Sequence, residues 1–172
     1  ASKAAGFAVL LRLFFVAFSG FAVSWTAVLA VLAAITMTVG NLLALPQTNI
    51  KRLLAFSSVA HAGYAMIGVI AFTPLGAASV VFYLAAYIAT NLLAFGIVMA
   101  FSKVTGLEDV KDYSGMSRRA PWLGLMMLAA FLSLTGMPPF GGFVAKVFVF
   151  AAGVQAGYVW LVLCWRKCIG TG

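Results

Sequence analysis

Three ionisable side chains stand inside strongly apolar stretches, and they are the residues best suited to chemistry. Lys3 lies in the first apolar stretch, His61 in the third and Lys146 in the fifth. A Lys at the centre of the hydrocarbon layer costs about 2.5 to 3.5 kcal/mol to insert. The presence of an ionisable side chain in such a stretch therefore requires a structural or functional explanation. Imidazole titrates near neutrality and burial favours a neutral amine, so the three side chains have the chemistry of a proton relay.

His61 belongs to a stripe of polar groups along one face of its predicted helix. Counting about 1.5 Å per residue from Asn49, it lies about 18 Å along the helix, near the middle of a roughly 30 Å core. Ser57, His61, Tyr64 and Gly68 share this face because of their helical spacing. Two interpretations are open for the imidazole: a neutral group hydrogen-bonded to a neighbouring helix, or a relay point for protons.

The apolar run over 121–154 requires an interruption. One helix of this length would be about 50 Å long, too long for a span and too short for a helical hairpin. Prolines remove backbone donors and glycines relax the backbone, so the segment LTGMPPFGG predicts the break. Its break-forming residues are Gly136, Pro138, Pro139, Gly141 and Gly142.

Lys146 follows this break by one helical turn. Irregular backbone at membrane depth is tolerated only inside protein or beside water, as in the broken helices of transporters. We therefore expect Lys146 to point inward, beside water held at the break. Snorkelling of the side chain to the membrane surface is the alternative.

Carboxylates are absent from the predicted spans. The three acids, Glu108, Asp109 and Asp112, all fall in the connection over 103–120. Lys3 and Lys146 therefore have no acidic partner in this chain. Either they exchange protons as partnerless amines, or a carboxylate elsewhere in the protein or on a neighbouring subunit holds them charged.

A second polar stripe runs along the fourth predicted helix. Tyr83, Tyr87, Thr90 and Asn91 share one side of it and reach the middle of the membrane. We expect these groups, Tyr87 and Asn91 among them, to support the relay by hydrogen bonds between helices rather than to carry ions directly.

The composition indicates an all-α polytopic transmembrane bundle. Of 172 residues, 65% are hydrophobic and only 8% charged, whereas a soluble domain carries about a quarter charged residues. The net charge of +8 is dispersed among apolar runs, which argues against nucleic-acid binding. Cys164 and Cys168 lack the further ligands that a zinc site needs. The runs predict about five complete spans and a truncated sixth, at 1–18, 23–45, 49–72, 76–102, 121–154 and from 157.

The loops orient this bundle as one membrane domain over 1–172. Lys and Arg are concentrated after the second and fourth helices, so both connections, including the polar one over 103–120, are predicted on the cytoplasmic side. Leu107, Val110 and Tyr113 suggest a short helix along the membrane surface. Pro46 should end the second helix, and Asn49 and Thr73 should cap the next two. A face of mostly small residues on the second helix predicts close packing: Thr26, Ala30, Ala33, Met37, Gly40 and Asn41.

Two long motifs, NIKRLLAFSSVAHAGY from Asn49 and LSLTGMPPFGGFVAKVFVF from Leu132, together with ASKAAGFAVLLRLF at the start, resemble a known family. They are similar to the antiporter-like membrane subunits of respiratory complex I, within them the subunit N family, called subunit 2 in mitochondria and B in plastids. The resemblance covers nearly the whole chain. It favours subunit N because Asn49-Ile50-Lys51 and Lys146 stand where related subunits carry Asp-Ile-Lys or Glu. The first repeat of the family is missing, so the chain resembles the second antiporter-like repeat, truncated at both ends.

This resemblance implies proton translocation across the membrane within an NADH:quinone oxidoreductase. It gives Lys3 the place of the central lysine, Lys146 that of the lysine on the broken helix, and His61 a relay position between them. It implies no cofactor in this chain, with NADH, FMN, iron-sulfur clusters and quinone elsewhere in the complex, and other membrane-arm subunits and the lipid bilayer as partners. The expected membrane is the bacterial inner membrane, or an organellar inner or thylakoid membrane. A stand-alone cation/proton antiporter and a structural membrane spacer remain alternatives.

Overall fold

The computed structural model describes residues 2–17, 22–161 and 163, and apart from one isolated bridge pair these residues form only helices and their connections. This confirms the all-α class. A π-helical turn, Leu13–Ala17, extends the first helix, and a 3-10 turn, Val110–Tyr113, precedes the fifth. The α-helices are α1 (Ser2–Arg12), α2 (Ala22–Ala44), α3 (Ile50–Ile70), α4 (Pro74–Thr105), α5 (Met116–Arg119), α6 (Pro121–Thr135) and α7 (Gly141–Gln155).

Within the described ranges, α2, α3 and α4 are long and apolar enough to cross a membrane. The shorter apolar helices α6 and α7 have 15 residues each and follow one another around the predicted break, so together they correspond to the predicted fifth run. The first predicted run is helical over 2–17. Of the sixth run, 159–161 are helical and most of the remainder lies outside the described residues. The polytopic bundle with a span broken at Pro138-Pro139 is thereby confirmed.

The predicted helix ends are confirmed. α2 ends at Ala44, two residues before Pro46. Asn49 caps α3 through its side-chain oxygen, which accepts a hydrogen bond from the backbone N–H of Lys51 at 3.0 Å. Thr73 caps α4 in the same way, and Pro74 occupies the first turn of that helix. Side-chain acceptors of this kind satisfy backbone donors that a helix start leaves free.

α3 lies at the centre of the bundle, packed against α2, α4 and α7. The small face predicted on α2 is buried here: Ala30, Ala33 and Met37 are each at most 1% exposed. Gly40 approaches so closely that a Cβ on it would lie 2.7 Å from the backbone nitrogen of Ala60. Small residues therefore bring the backbones of α2 and α3 together, as they do in membrane bundles generally.

The two basic connections lie at the same end of the bundle, as the predicted topology requires. The N–H of Ile50 donates to the carbonyl of Glu108 at 3.1 Å, and that of Val110 donates to Thr48 at 2.8 Å. The Glu108 carboxylate accepts hydrogen bonds from the side chains of Lys51 and Asn49. These bonds hold the pKa of Glu108 below its ordinary value of 4.5.

The connection over 103–120 does not form the surface helix that the apolar spacing suggested. Between α4 and α5 only the 3-10 turn forms, and its Tyr113 packs on Phe101 with ring centroids 4.5 Å apart. Met116 is 4% exposed and joins the core between α3, α4 and α6. The buried Met116 and the half-buried Tyr113 hold the connection against the end of the bundle, while Leu107 and Val110 stay exposed.

Candidate functional site

Lys146 is buried inside the bundle, with 5% of its surface exposed. α7 begins directly after the break, which places Lys146 on the face that packs against α3 and α4. Its ammonium nitrogen, Nζ, donates to the backbone carbonyls of Leu134 at 2.7 Å and Thr135 at 2.9 Å. The Tyr64 ring lies 5.5 Å from the same nitrogen. The side chain thus points inward, and its partner is the carboxyl end of α6 rather than a carboxylate.

Two glycines of the break allow α6 and α7 to meet beside this lysine. Gly136 ends α6 with a φ of 84°, a left-handed conformation that favours glycine. A Cβ on Gly136 would lie 2.9 Å from Cδ of Lys146. At Gly142 a Cβ would lie 1.9 Å from the carbonyl oxygen of Ser133, so this position tolerates only glycine.

The other break residues serve the turn itself. Pro138 and Pro139 are exposed in the connection between the two short helices, and Gly141 begins α7. A Cβ at Gly141 would meet no atom within 4 Å, in contrast to its neighbour Gly142. The five predicted break residues therefore divide into those that shape the turn and those that allow close packing.

His61 is 7% exposed and is surrounded by tyrosines. Its Nδ1 is hydrogen-bonded to the Tyr83 hydroxyl of α4 at 2.5 Å. The Tyr87 and Tyr64 rings lie 5.0 and 5.5 Å from the imidazole, centroid to centroid. The bond to α4 is the one that the first interpretation of His61 requires, and it leaves Nε2 as a second ring atom for a relay.

Lys3 is exposed on α1, and its ammonium group reaches α3. Nζ donates to the Ser58 hydroxyl at 2.6 Å and to the Ser58 carbonyl at 3.2 Å. The polar stripe predicted on α3 contains Ser57 and not Ser58. Ser58 precedes His61 by three residues, so helical spacing alone places it beside the polar stripe, and that signal was available.

Two further candidates lie on α4. The Tyr87 hydroxyl is buried and lies near the Ser58 side chain. It makes no hydrogen bond with the described residues. Asn91, one turn further on, is half-buried and lines neither of the two cavities below. Between them Thr90 approaches the Ser133 hydroxyl of α6 at 3.3 Å.

A small cavity of about 10 Å³ joins these groups. One water molecule needs roughly 10 to 15 Å³ and two to four polar partners, so the cavity has the size and the lining for a single water. It is lined by His61, Tyr83, Ala86, Tyr87, Thr90, Ser133, Leu134, Gly142, Ala145 and Lys146.

A larger cavity of about 420 Å³ reaches Lys146 and His61 from the opposite side. Its walls come from the carboxyl end of α2, the first half of α3 and the end of α6, and Ser57 is part of them. The cavity therefore extends from the middle of the bundle towards the end where the basic connections lie.

The site consists of groups that can exchange protons and hydrogen bonds. In the part of the chain that the structure describes, no group of three His, Cys, Asp or Glu residues is placed to hold a metal ion. Amines, an imidazole and hydroxyls follow one another from α1 to α7, and each of these groups can donate a hydrogen bond. Such a series can pass a proton once water fills its gaps.

The fold and the site together define a polytopic helical membrane protein with a buried lysine at a broken helix, an architecture found in ion transporters. The chain belongs to the NADH:quinone oxidoreductase/Mrp antiporter transmembrane family, whose sequence profile matches residues 1–170.

Known relatives support this assignment. NADH-quinone oxidoreductase subunit N of Moorella thermoacetica is 44% identical over 163 residues, which are 95% of this chain and 34% of the relative. A chain of respiratory complex I from Thermus thermophilus, solved with bound NADH, matches 92% of this chain and 35% of its own length with a TM-score of 0.82 and 28% identity. A chain of the Mrp complex from Dietzia sp. DQ12-45-1b matches 94% and 32% with a TM-score of 0.80 and 28% identity. This chain thus spans about a third of the length of its relatives.

Proposed function

We propose that this chain is part of a proton-translocating membrane subunit of an NADH:quinone oxidoreductase complex. Lys3, His61 and Lys146 would pass protons across the bundle through bound water. The observation that carries the proposal is the small cavity between α3, α4, α6 and α7, because it places one water-sized space within reach of both His61 and Lys146.

Polar groups on α3 and α4 lie between Lys3 and this cavity. On the side of α1, the Lys3 amine is bonded to Ser58, which lies near the Tyr87 hydroxyl. Tyr87 itself lines the cavity. A proton arriving at Ser58 would therefore reach a water in the cavity through the Tyr87 hydroxyl, and both His61 and Lys146 line that cavity. Transfer across each step requires a donor and an acceptor about 3 Å apart, which a single bridging water supplies.

The remaining chemistry would belong to other subunits. Relatives named for NADH and quinone oxidoreduction have about three times the length of this chain. We assign NADH, FMN, iron-sulfur clusters and quinone to the rest of the complex, and we assign to this chain the second antiporter-like repeat. The other membrane-arm subunits and lipid would surround it, in the bacterial inner membrane or its organellar equivalent.

Replacement of Lys146 by Ala in the complete complex tests the proposal. We expect fewer protons to be translocated per electron pair, measured as acidification coupled to quinone reduction in sealed vesicles. Lys103→Ala provides the control, because Lys103 is an exposed lysine at the end of α4. An unchanged proton stoichiometry in Lys146→Ala would contradict the proposal.

A stand-alone cation/proton antiporter is the second candidate, favoured by the fold match to the Mrp complex. It predicts Na⁺-driven proton movement in vesicles without any electron donor. A structural spacer is the third, and Lys146→Arg separates it from a proton carrier. Arg keeps its proton and should block translocation, whereas a spacer should tolerate the change.

A further inference from the structure

The carboxyl end of α6 has two backbone carbonyl groups that cannot find their usual helical donors. In a continuous helix the carbonyls of Leu134 and Thr135 would accept hydrogen bonds from the residues four positions later. Those residues are Pro138 and Pro139, which carry no N–H group. The Lys146 ammonium occupies this place, 2.7 Å from the first oxygen and 2.9 Å from the second.

The neighbouring backbone donors are directed to other carbonyls. The N–H of Gly136 bonds to Leu132 and Ser133 at 3.1 and 3.2 Å, and the N–H of Met137 bonds to Leu132 at 3.0 Å. These donors satisfy the carbonyls of Leu132 and Ser133, two residues before the pair, as in a Schellman motif. The pair at Leu134 and Thr135 is therefore left for a donor that is not part of the backbone.

The chemistry of this pair suits a primary ammonium ion. The carboxyl end of a helix carries about half a negative charge, which favours a cation there. An ammonium group has three N–H donors. The two carbonyls accept two of them, and the adjoining cavity has room for one water that could accept the third. An alkali-metal ion needs a full ring of oxygens to replace its hydration shell, and two carbonyls do not form one.

We propose that the carbonyl pair of Leu134 and Thr135 is a binding site for a primary ammonium ion, occupied here by Lys146 of the same chain. The prolines of the break make the site by withholding two N–H donors. This proposal rests on the hydrogen bonds of the amine and not on proton conduction, so either can fail without the other.

The test removes the tethered amine and supplies a free one. Lys146→Ala in the complete subunit within its complex leaves a space that propylammonium matches, because the variant lacks three methylene groups and the nitrogen. We expect the thermal midpoint of the variant complex to fall, and saturating propylammonium to restore about half of the loss, since a ligand of the folded state stabilises it by mass action. Sodium, potassium and tetramethylammonium chloride at equal ionic strength should restore none.

Lys146→Met is the matched control, because its unbranched apolar side chain fills the same space without a donor. Propylammonium should not change its midpoint. No response of Lys146→Ala to propylammonium, or an equal response to the cations without N–H groups, would overturn the proposal. Should Lys146→Ala fail to assemble, the amount of assembled complex in membranes of cells grown with propylamine is measured instead. More assembled complex with propylamine, but not with the other cations, would support the ammonium site. An unchanged amount, or an equal increase with the other cations, would overturn it.

Discussion

Gly142→Ala is the smallest change that should separate α6 from α7. A Cβ at this position would lie 1.9 Å from the Ser133 carbonyl oxygen and 2.9 Å from its carbonyl carbon. Real Cβ contacts are essentially never closer than 3.0 Å, and these partners are backbone atoms that cannot rotate away. The two helices must therefore move apart by about 1 Å to accept a single methyl group.

A displacement of this size reaches the buried lysine. Lys146 lies one helical turn after Gly142 on the same helix, and its bonds to the end of α6 are 2.7 and 2.9 Å long. Adding about 1 Å takes both beyond hydrogen-bonding distance. Overpacking costs roughly 1 to 3 kcal/mol, and a lost hydrogen bond to a charged group adds about 1.5 to 3 kcal/mol. We expect a destabilisation of about 3 kcal/mol or more.

The neighbouring residue provides the control. Gly141→Ala adds the same methyl group at a position where it meets no atom within 4 Å, and Ala loses less backbone entropy than Gly on folding. The thermal midpoint and the proton stoichiometry of the complete complex should fall in Gly142→Ala and stay unchanged or improve in Gly141→Ala. Equal behaviour of the two variants would refute the close contact between α6 and α7.

Two further variants test the junction of the basic connections and the contact of Lys3 with α3. Glu108→Gln should weaken the junction at the start of α3. Bonds from Lys51 hold the pKa of Glu108 below 4.5, so its stabilisation is complete at neutral pH and is lost as the pH falls through that lower pKa. The thermal midpoint of the variant should therefore fall less on acidification than that of the natural protein, and parallel curves would contradict this. Ser58→Ala should lower the proton stoichiometry because Lys3 loses its 2.6 Å partner, whereas Thr36→Ala, which removes only an exposed hydroxyl bonded within its own helix, should not.

The helical class and the helix ends at Pro46, Asn49 and Thr73 were accessible from the sequence because each has a local cause. Apolar runs of span length predict α2, α3 and α4, and the caps at Asn49 and Thr73 follow from residue type alone. The connection over 103–120 was not accessible in the same way. Its apolar spacing predicted a surface helix, but Tyr113 packs on Phe101 of α4. A contact between a loop residue and a helix depends on the tertiary structure and cannot be read from local spacing.

The candidate site was predictable in its ionisable residues and less so in their partners. Burial of an ionisable side chain in the membrane is costly, so the positions of Lys146 and His61 inside apolar runs were enough to identify them. Their hydrogen-bond partners depend on how helices rotate against each other. Spacing indicated the tyrosines of α4, but only the packing of α1 on its neighbours selects Ser58 over Ser57 as the partner of Lys3.

The partner of Lys146 shows how a charge can be satisfied in a membrane span that contains no acid. The sequence has no carboxylate near this lysine. The partner of the ammonium group is instead a pair of backbone carbonyls at the negative, carboxyl end of α6. Their positions can nevertheless be read from the motif, since Pro138 and Pro139 stand four residues after Leu134 and Thr135. Two adjacent prolines inside an apolar run thus indicate two adjacent free carbonyls, and a lysine within a turn or two of the break is the side chain that can reach them. Pro138 and Pro139 therefore both break the helix and leave free the carbonyls that bind the Lys146 amine.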